Sequence, residues 1–205
     1  MDKDESAPTI VRTWFEYFAE KTLRDEWNSM NLTNRLFPSL PILEKLIRID
    51  NTSHWFDDKT TSPTIENATT IILESFTDMI TALEEYYSTS NPDEWLWGEV
   101  HQLYWIHITG ELDALNYGPV PIDGSYRTIS APGCQMLQDG EFDPTFASRE
   151  AHHRQIIDFG NFSNCLSVLP GGASGLSTLG SPYDQFDLFI DGQYHTEHFT
   201  ATTPS

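Results

Sequence analysis

Apolar residues in the first half of the chain recur at spacings of three and four, the period of one helix face. This spacing predicts an amphipathic helix over Pro8–Glu26, a shorter one over Ile42–Ile49 and the longest over Thr64–Tyr87. Ser6 stands just before the first of these and is expected in its N-cap region. The polar stretch Asn51–Pro63 carries two adjacent aromatic residues and predicts a loop with an aromatic anchor.

The pattern changes after Asn91-Pro92, where the periodicity of three and four is lost. Glycine and proline become frequent, and short β-prone runs stand between them. These runs are Tyr126–Ser130, Gln155–Asp158 and Cys165–Leu169. We therefore predict an α+β fold in one domain spanning 1–205, mainly helical over 1–94 and rich in strands and loops over 95–205.

Acidic residues dominate the charge, since 31 Asp and Glu face 11 Lys and Arg, for a formal net charge of -20. Such a surface repels phosphate and anionic lipid, so neither nucleic acid nor a membrane is an expected partner. The scarcity of lysine favours a protein that folds in concentrated salt, with an ordinary acidic protein as the alternative. No apolar stretch is long enough to cross a bilayer. The first six residues lack the basic and apolar segments of a signal peptide, and the localisation stays open.

The cysteines and the histidines each raise the possibility of a reactive site. Cys134 and Cys165 are too few for a disulfide framework, so free buried thiols are expected, and a nucleophilic cysteine with a distant histidine is the alternative. The run His195–His198 and the pair His152-His153 raise the question of a metal site. Their spacing differs from the His-Glu-x-x-His pattern that places two ligands on one helix face. Solvated histidines, and no cofactor in this chain, are the expectation.

The segment Leu166–Gly175 reads Leu-Ser-Val-Leu-Pro-Gly-Gly-Ala-Ser-Gly and predicts a strand that ends in a sharp turn. Its glycines permit the positive φ angles that such a turn requires. Ser174, Asp184 and Gln185 are expected to cap the turn or to hydrogen-bond across it. A phosphate-binding loop is the alternative, but the lysine and the spacing of a Walker loop are missing.

The same segment, with the Ser-Pro-Tyr-Asp-Gln run that follows it, resembles the C-terminal signature of the penicillin acylase family. Upstream, Arg154–Asp158 resembles the family's Arg, apolar pair and Asp. Gly124–Ile129 resembles its Gly-Asp-x-x-Thr-Val, and Trp95–His101 resembles its Trp-x-Trp-Gly-x-x-His. Asp191–His195 occupies the place of the family's final Gly, variable residue and Tyr, and Ser6-Ala7-Pro8 leads a matching helix. These blocks follow the family's order over nearly the whole chain.

The departures from the family pattern are local. His152 stands where the family has a small Ser, Ser125 replaces the Asp of Gly-Asp-x-x-Thr, and the Ser181–Gln185 element is shorter than the usual form. The residues that match the family motifs are Trp95, Trp97, Gly98, His101, Gly124, Thr128, Arg154, Asp158, Pro170, Gly171, Gly172, Ser174, Gly175, Ser181, Pro182, Tyr183, Asp184 and Gln185.

The resemblance implies a hydrolase of linear amide bonds with the αββα architecture of the N-terminal nucleophile hydrolases, of which this chain would supply a part. In that family a precursor cleaves itself to expose an N-terminal Ser. The Ser hydroxyl attacks the amide carbonyl while its own α-amino group takes the proton, and an Asn side chain and a backbone N–H stabilise the oxyanion. Those residues, and the family's calcium-binding carboxylates, lie upstream of the matched blocks.

The resemblance therefore identifies the chain as the C-terminal part of a large chain, expected to be inactive alone and to associate with the missing N-terminal half. The context of Ser6 matches a later helix rather than the family's nucleophile. The matched residues are expected to form scaffold, with Arg154 and Asp158 pairing or anchoring loops and Trp95, Trp97 and His101 packing near the junction of the two regions. A general-base role for His101 is one alternative. A non-catalytic acidic remnant or partner-binding domain is the other.

Overall fold

The computed structural model describes residues 1–32, 38–107, 113, 116–126, 128–147, 150–171 and 183–197. The helices in these ranges are α1 (Ala7–Ser29), α2 (Leu40–Ile49), α3 (Ala68–Tyr87), α4 (Trp97–Val100) and α5 (Phe186–Ile190). The strands are β1 (Gln102–Trp105), β2 (Tyr117–Pro121), β3 (Leu137–Gln138), β4 (Glu141–Phe142), β5 (Arg154–Ile156), β6 (Leu166–Val168) and β7 (His195–Thr196). Helices come first and short antiparallel strands follow, so the α+β prediction is confirmed.

The three predicted helices are all present, with shifted ends. The first extends over Ala7–Ser29 and has Ser6 at its N-cap position, but the Ser6 side chain makes no capping hydrogen bond. The third begins at Ala68 rather than Thr64, because Asn67 caps it. The Asn67 Oδ1 atom accepts from the backbone N–H groups of Thr69 and Thr70, at 2.9 and 3.2 Å.

Each described strand pairs with a strand that is next to it in chain order. β1 pairs with β2, with Leu103 opposite Val120 and an irregularity before Trp105, and β3 pairs with β4 as a tight hairpin. In the third sheet the order is β5-β6-β7, and Ser167 of β6 lies between Gln155 and His195. The runs predicted over Gln155–Asp158 and Cys165–Leu169 are confirmed as β5 and β6, within two residues at each end.

The strand predicted over Tyr126–Ser130 is wrong. Ser125 and Thr128 form a turn there instead, since the N–H of Thr128 donates to the Ser125 carbonyl at 3.1 Å. The Thr128 side chain also accepts from the N–H of Ser125 at 3.0 Å. These local bonds occupy backbone groups that a strand would offer to a neighbour. Arg127 lies outside the described residues.

The chain divides into two units, each with a core of its own. Unit 1 comprises Met1–His101 with Cys134–Phe146. Its core includes buried side chains of α1, α2 and α3, and Phe18 of α1 stacks against Phe56, which precedes α3, with ring centroids 6.4 Å apart. Phe56 belongs to the loop that was predicted to carry an aromatic anchor, and it is buried. That prediction is confirmed.

Unit 2 comprises Gln102–Gly133 with Ala147–Ser205. Its buried apolar side chains include Leu103 of β1, Val168 of β6 and both Phe186 and Phe189 of α5. The phenylalanines of α5 are three residues apart, so they lie on one face of the short helix. No helix within the described ranges combines the length and apolar character needed to span a lipid bilayer.

Candidate functional site

In unit 2 the Arg154 side chain joins three separate stretches of chain. Its Nη1 donates to the carbonyl oxygen of Phe189 at 2.8 Å, and its Nη2 donates to the Ser130 hydroxyl at 3.0 Å and to Glu150 Oε1 at 3.2 Å. The guanidinium also lies 3.8 Å above the Phe189 ring. The Glu150 side chain is fully buried, which leaves little room for solvent around this ion pair. The planar fork of Arg154 suits a position with several fixed acceptors.

Asp158 does not pair with Arg154, whose carboxylate partner is Glu150. That part of the prediction is wrong. The Asp158 carboxylate instead accepts from the backbone N–H of Gly160 at 2.8 Å and from the side-chain amide of Asn164 at 3.4 Å. These hydrogen bonds lower the pKa of Asp158 from its ordinary value, because they stabilise the charged form. The residue anchors its loop, as the other half of the prediction stated.

Gln185 closes the turn that follows β6. Its side-chain oxygen accepts from the N–H of Leu169 at 3.0 Å, and its own N–H donates to the carbonyl of Gly171 at 2.9 Å. Gly171 has a φ of 104°, a conformation that favours glycine. Pro170 and Tyr183 are half-buried and Asp184 is exposed. The predicted bonds across the turn are thus present for Gln185. The predicted residues Gly172, Ser174, Gly175, Ser181 and Pro182 lie outside the described residues.

Gly124 permits the close approach of two backbone stretches. Its φ is 91°, and a Cβ at this position would overlap the carbonyl oxygen of Ser130. Both Gly124 and the following Ser125 are buried. The hydroxyl of Thr128 also makes a short hydrogen bond with the Ser130 carbonyl oxygen. The motif residues Gly124 and Thr128 therefore fix the turn that presents Ser130 to Arg154.

Substitution of Gly124 by alanine is expected to lower the free energy of unfolding by about 2–3 kcal/mol, from the positive φ and the backbone overlap together. Urea unfolding followed by tryptophan fluorescence measures this difference. Gly133→Ala is the matched control, because a Cβ there meets no atom within 4 Å. It should change stability by less than about 0.5 kcal/mol. Equal effects of the two substitutions would contradict this role of Gly124.

In unit 1 the motif residues Trp95, Trp97, Gly98 and His101 are buried. The rings of Trp97 and His101 stack with centroids 4.4 Å apart and an interplanar angle of 14°. The indole N–H of Trp95 donates to the carbonyl of Thr89 at 3.0 Å. The N–H groups of Trp97 and Gly98 donate to carbonyls of the N-terminal segment, at 3.0 and 2.7 Å. The packing predicted for these residues is present, and Trp95 and Trp97 also donate hydrogen bonds.

A family model described as penicillin amidase matches residues 1–203. The chain belongs to the penicillin amidase family. Among curated proteins, none matches this sequence. The family match covers both units and every motif block on which the resemblance rests. Membership in the penicillin amidase family supports an amidase-like hydrolase as the general class of this protein.

Glu16 is a buried acidic residue that the sequence analysis did not predict. Its side chain is fully buried and pairs with Arg12 at 2.6 Å. Its Oε2 accepts from the backbone N–H groups of Met136 and Leu137, at 2.8 and 3.1 Å. Burial raises the pKa of Glu16, although the Arg12 guanidinium and the two N–H donors act in the opposite direction.

A sequence signal for Glu16 did exist on α1. Thr9, Thr13, Glu16 and Glu20 recur at spacings of three and four and are all buried. This polar stripe lies beside the apolar one that predicted the helix. A carboxylate in such a stripe, with an arginine four residues before it, indicates a buried pair rather than a solvated one.

Both cysteines are buried, and neither forms a disulfide. Burial is the main cause that raises the pKa of the Cys134 thiol to about 12. At neutral pH this thiol is therefore protonated, whereas a catalytic cysteine reacts as the thiolate. The burial and the raised pKa of Cys134 argue against this cysteine as the nucleophile.

Alkylation tests this directly. Native chain treated with iodoacetamide at pH 7.5 is expected to react at Cys134 about three orders of magnitude more slowly than an ordinary thiol, because the thiolate fraction falls with the rise in pKa. Mass spectrometry of the digested protein measures modification at each site. Chain unfolded in urea is the control and should react at Cys134 and Cys165 alike. Native Cys134 that reacts as fast as glutathione would contradict the raised pKa.

The histidine-rich segments do not form a metal cluster in the described ranges, where no three His, Cys, Asp or Glu side chains come together in a way that could hold an ion. His152, His153 and His195 are exposed. The Ser167 hydroxyl makes a short hydrogen bond to Glu197. His198 lies outside the described residues.

Proposed function

We propose that this chain supplies supporting scaffold to a hydrolase of linear amides, and that the nucleophile belongs to a segment beyond the matched blocks, on the same polypeptide or on a separate one. The Arg154 network carries this proposal. Its guanidinium nitrogens bind a carbonyl, a hydroxyl and a buried carboxylate, so the side chain is engaged in holding three chain segments together. A side chain with these three partners positions loops.

The proposed reaction follows the chemistry of an N-terminal nucleophile. A serine hydroxyl attacks the amide carbonyl, its α-amino group takes the proton, and the amine leaves as the acyl-enzyme forms; water then releases the acid. The observations on Cys134 and His101 favour a nucleophile other than Cys134 and a proton acceptor other than His101. The Cys134 thiol has a pKa of about 12, and His101 is buried against Trp97.

Exposed apolar side chains in unit 2 support association with such a segment. Phe159 and Phe162 are 81% and 56% exposed, and their rings meet edge to face at 6.2 Å. They follow β5, which has one strand neighbour among the described strands and carries the exposed Ile156. Exposed phenylalanines beside a strand edge are typical of a surface that another chain covers.

Unit 1 carries a second apolar surface of this kind. A groove of about 350 Å³ runs along α2 and is lined by side chains that include Ile42, Leu46, Ile49 and Trp55. Ile42 and Ile49 are exposed on the helix. A segment that carries the nucleophile would bury these apolar side chains, and those around Phe159 and Phe162, if it packed against them.

Complementation tests the proposal. The purified chain is mixed with a separately made segment that carries the family's N-terminal Ser, and hydrolysis of a chromogenic phenylacetyl amide is followed. We expect turnover by the mixture, and a clear loss of association when Phe159 and Phe162 are both replaced by serine. Glu84→Gln on the exposed face of α3 is the control and should leave association unchanged.

The alternative, a non-catalytic acidic domain that binds a partner, predicts a different result in the same experiment. The two chains would then associate through the same apolar side chains without any turnover. A mixture that neither associates nor hydrolyses the amide would contradict the proposed function and favour an acidic remnant.

A further inference from the structure

Unit 1 contains a cavity of about 340 Å³ that neither the amidase chemistry nor the family motifs use. Its lining residues are Tyr17, Ala82, Glu85, Tyr86, Glu141 and Phe142. They come from α1, α3 and the β3–β4 hairpin, so three elements converge on this space. The volume is at the lower end of the range for sites that bind small molecules.

Three aromatic rings line this cavity. Tyr86 of α3 meets Phe142 of β4 edge to face, with centroids 5.2 Å apart and an interplanar angle of 85°. Tyr17 of α1 is nearly fully buried, whereas Tyr86 is 47% exposed at the opening. Ala82, the remaining apolar residue of the lining, has a short side chain that leaves the space open. An aromatic ring attracts a cation that lies over its negative face.

The cavity also has carboxylates with no basic partner. Within the described ranges, neither Glu85 nor Glu141 is paired with a lysine, arginine or histidine. Burial, followed by the charges of Glu141 and Asp78, raises the pKa of Tyr17 to about 12. The site is therefore electronegative as well as aromatic.

Two basic residues lie near the cavity, and both are paired. Arg24 Nε binds Glu20 Oε1 at 3.1 Å, and Lys21 Nζ lies 3.0 Å from Asp78. Arg24 contributes a positive charge near Tyr17, since it acts to lower the pKa of that hydroxyl. Neither of them lines the cavity, whose own carboxylates, on Glu85 and Glu141, belong to exposed residues.

We propose that this cavity, called here the aromatic–acidic pocket, binds a small organic ammonium ion. Tyr17, Tyr86 and Phe142 contact the alkyl groups of the cation through their rings, and Glu85 and Glu141 neutralise its charge. A quaternary ammonium group suits this arrangement best, because it is weakly hydrated and loses little on leaving water. This role is independent of amide hydrolysis.

Titration of the full 205-residue chain with choline tests the proposal, with 3,3-dimethylbutan-1-ol as the neutral compound of the same shape. Chemical-shift changes of the tyrosine ring resonances report occupancy of the pocket. We expect choline to bind at least about fivefold more tightly than the alcohol, since only the cation gains from the rings and carboxylates. Choline that does not bind, or that binds no better than the alcohol, would overturn the proposal.

Variants separate the pocket from the general attraction of an acidic protein for cations. Tyr86→Leu is expected to weaken choline binding about fivefold, and the double substitution Glu85→Gln, Glu141→Gln by a similar factor. Tyr86 is half exposed, so its replacement leaves the core intact. Glu84→Gln removes one neighbouring charge outside the pocket and should change binding less than about twofold. If Glu84→Gln weakens binding as much as the pocket variants do, the attraction is non-specific and the pocket is not the site.

Discussion

Replacement of Arg154 by methionine is expected to lower the free energy of unfolding by about 3 kcal/mol. The substitution leaves the fully buried Glu150 carboxylate without its ion-pair partner and removes the donors to Phe189 and Ser130. Methionine fills much of the volume of the arginine stem, so the loss reports the guanidinium rather than a cavity. Urea unfolding monitored by tryptophan fluorescence measures the change.

An exposed pair provides the control for Arg154. Arg48 pairs with Glu44 one helical turn away at 2.8 Å, and both side chains are largely exposed. Arg48→Met should therefore cost less than about 0.5 kcal/mol. Arg154→Lys is expected to fall between the two methionine variants, because lysine keeps the charge but lacks the planar fork. If Arg154→Met costs no more than Arg48→Met, Arg154 does not hold unit 2 together.

Replacement of Glu16 by alanine is expected to have an effect of similar size, about 3 kcal/mol. The backbone N–H groups of Met136 and Leu137 lose their acceptor, and the Arg12 guanidinium loses its nearest carboxylate. The tie between α1 and β3 is lost at the same time. Glu74→Ala on the exposed side of α3 is the control and should change stability little. Equal stability of the two variants would contradict the role of Glu16.

The pH dependence of Glu16→Gln adds a second measurement. Burial raises the pKa of Glu16 above its ordinary value of 4.5 in the folded protein, so the native state binds this proton more tightly than the unfolded state does. The stability that Glu16 contributes is then fully present below the unfolded pKa and is lost as pH rises through the folded pKa. Wild-type chain should lose stability relative to Glu16→Gln between about pH 4.5 and neutrality. A difference that stays constant over this range would contradict the raised pKa.

The sequence predicted the elements whose signal is local. Three helices followed from the apolar spacing, and β5 and β6 followed from short β-prone runs that end at glycine or proline. The sequence did not predict the short helix over Trp97–Val100, which the N-terminal segment holds by two backbone hydrogen bonds. Hydrogen bonds to a segment about 90 residues away leave no pattern of apolar and polar residues in a helix of four residues.

Most of the misses share a physical cause, which is interaction between distant positions. Glu16 finds its N–H donors 120 residues further along the chain, and Arg154 donates to the carbonyl of Phe189, 35 residues away. The family resemblance identified Arg154 and Gln185 as important without identifying their partners. The aromatic–acidic pocket also could not be predicted from the sequence, because its rings come from three separate elements.

Folding in concentrated salt stays a prediction. Equal stability of the protein at low and high salt would contradict it.

The central claim is that the attacking hydroxyl lies on a segment other than this chain. The purified 205-residue chain, assayed alone, tests this claim most directly. Hydrolysis of a chromogenic phenylacetyl amide is measured over hours at neutral pH, beside a buffer blank and the Gly124→Ala variant. We predict a rate equal to that of the blank for both proteins. Turnover by the unmodified chain, saturable in substrate and reduced in Gly124→Ala, would contradict the assignment of these residues to scaffold.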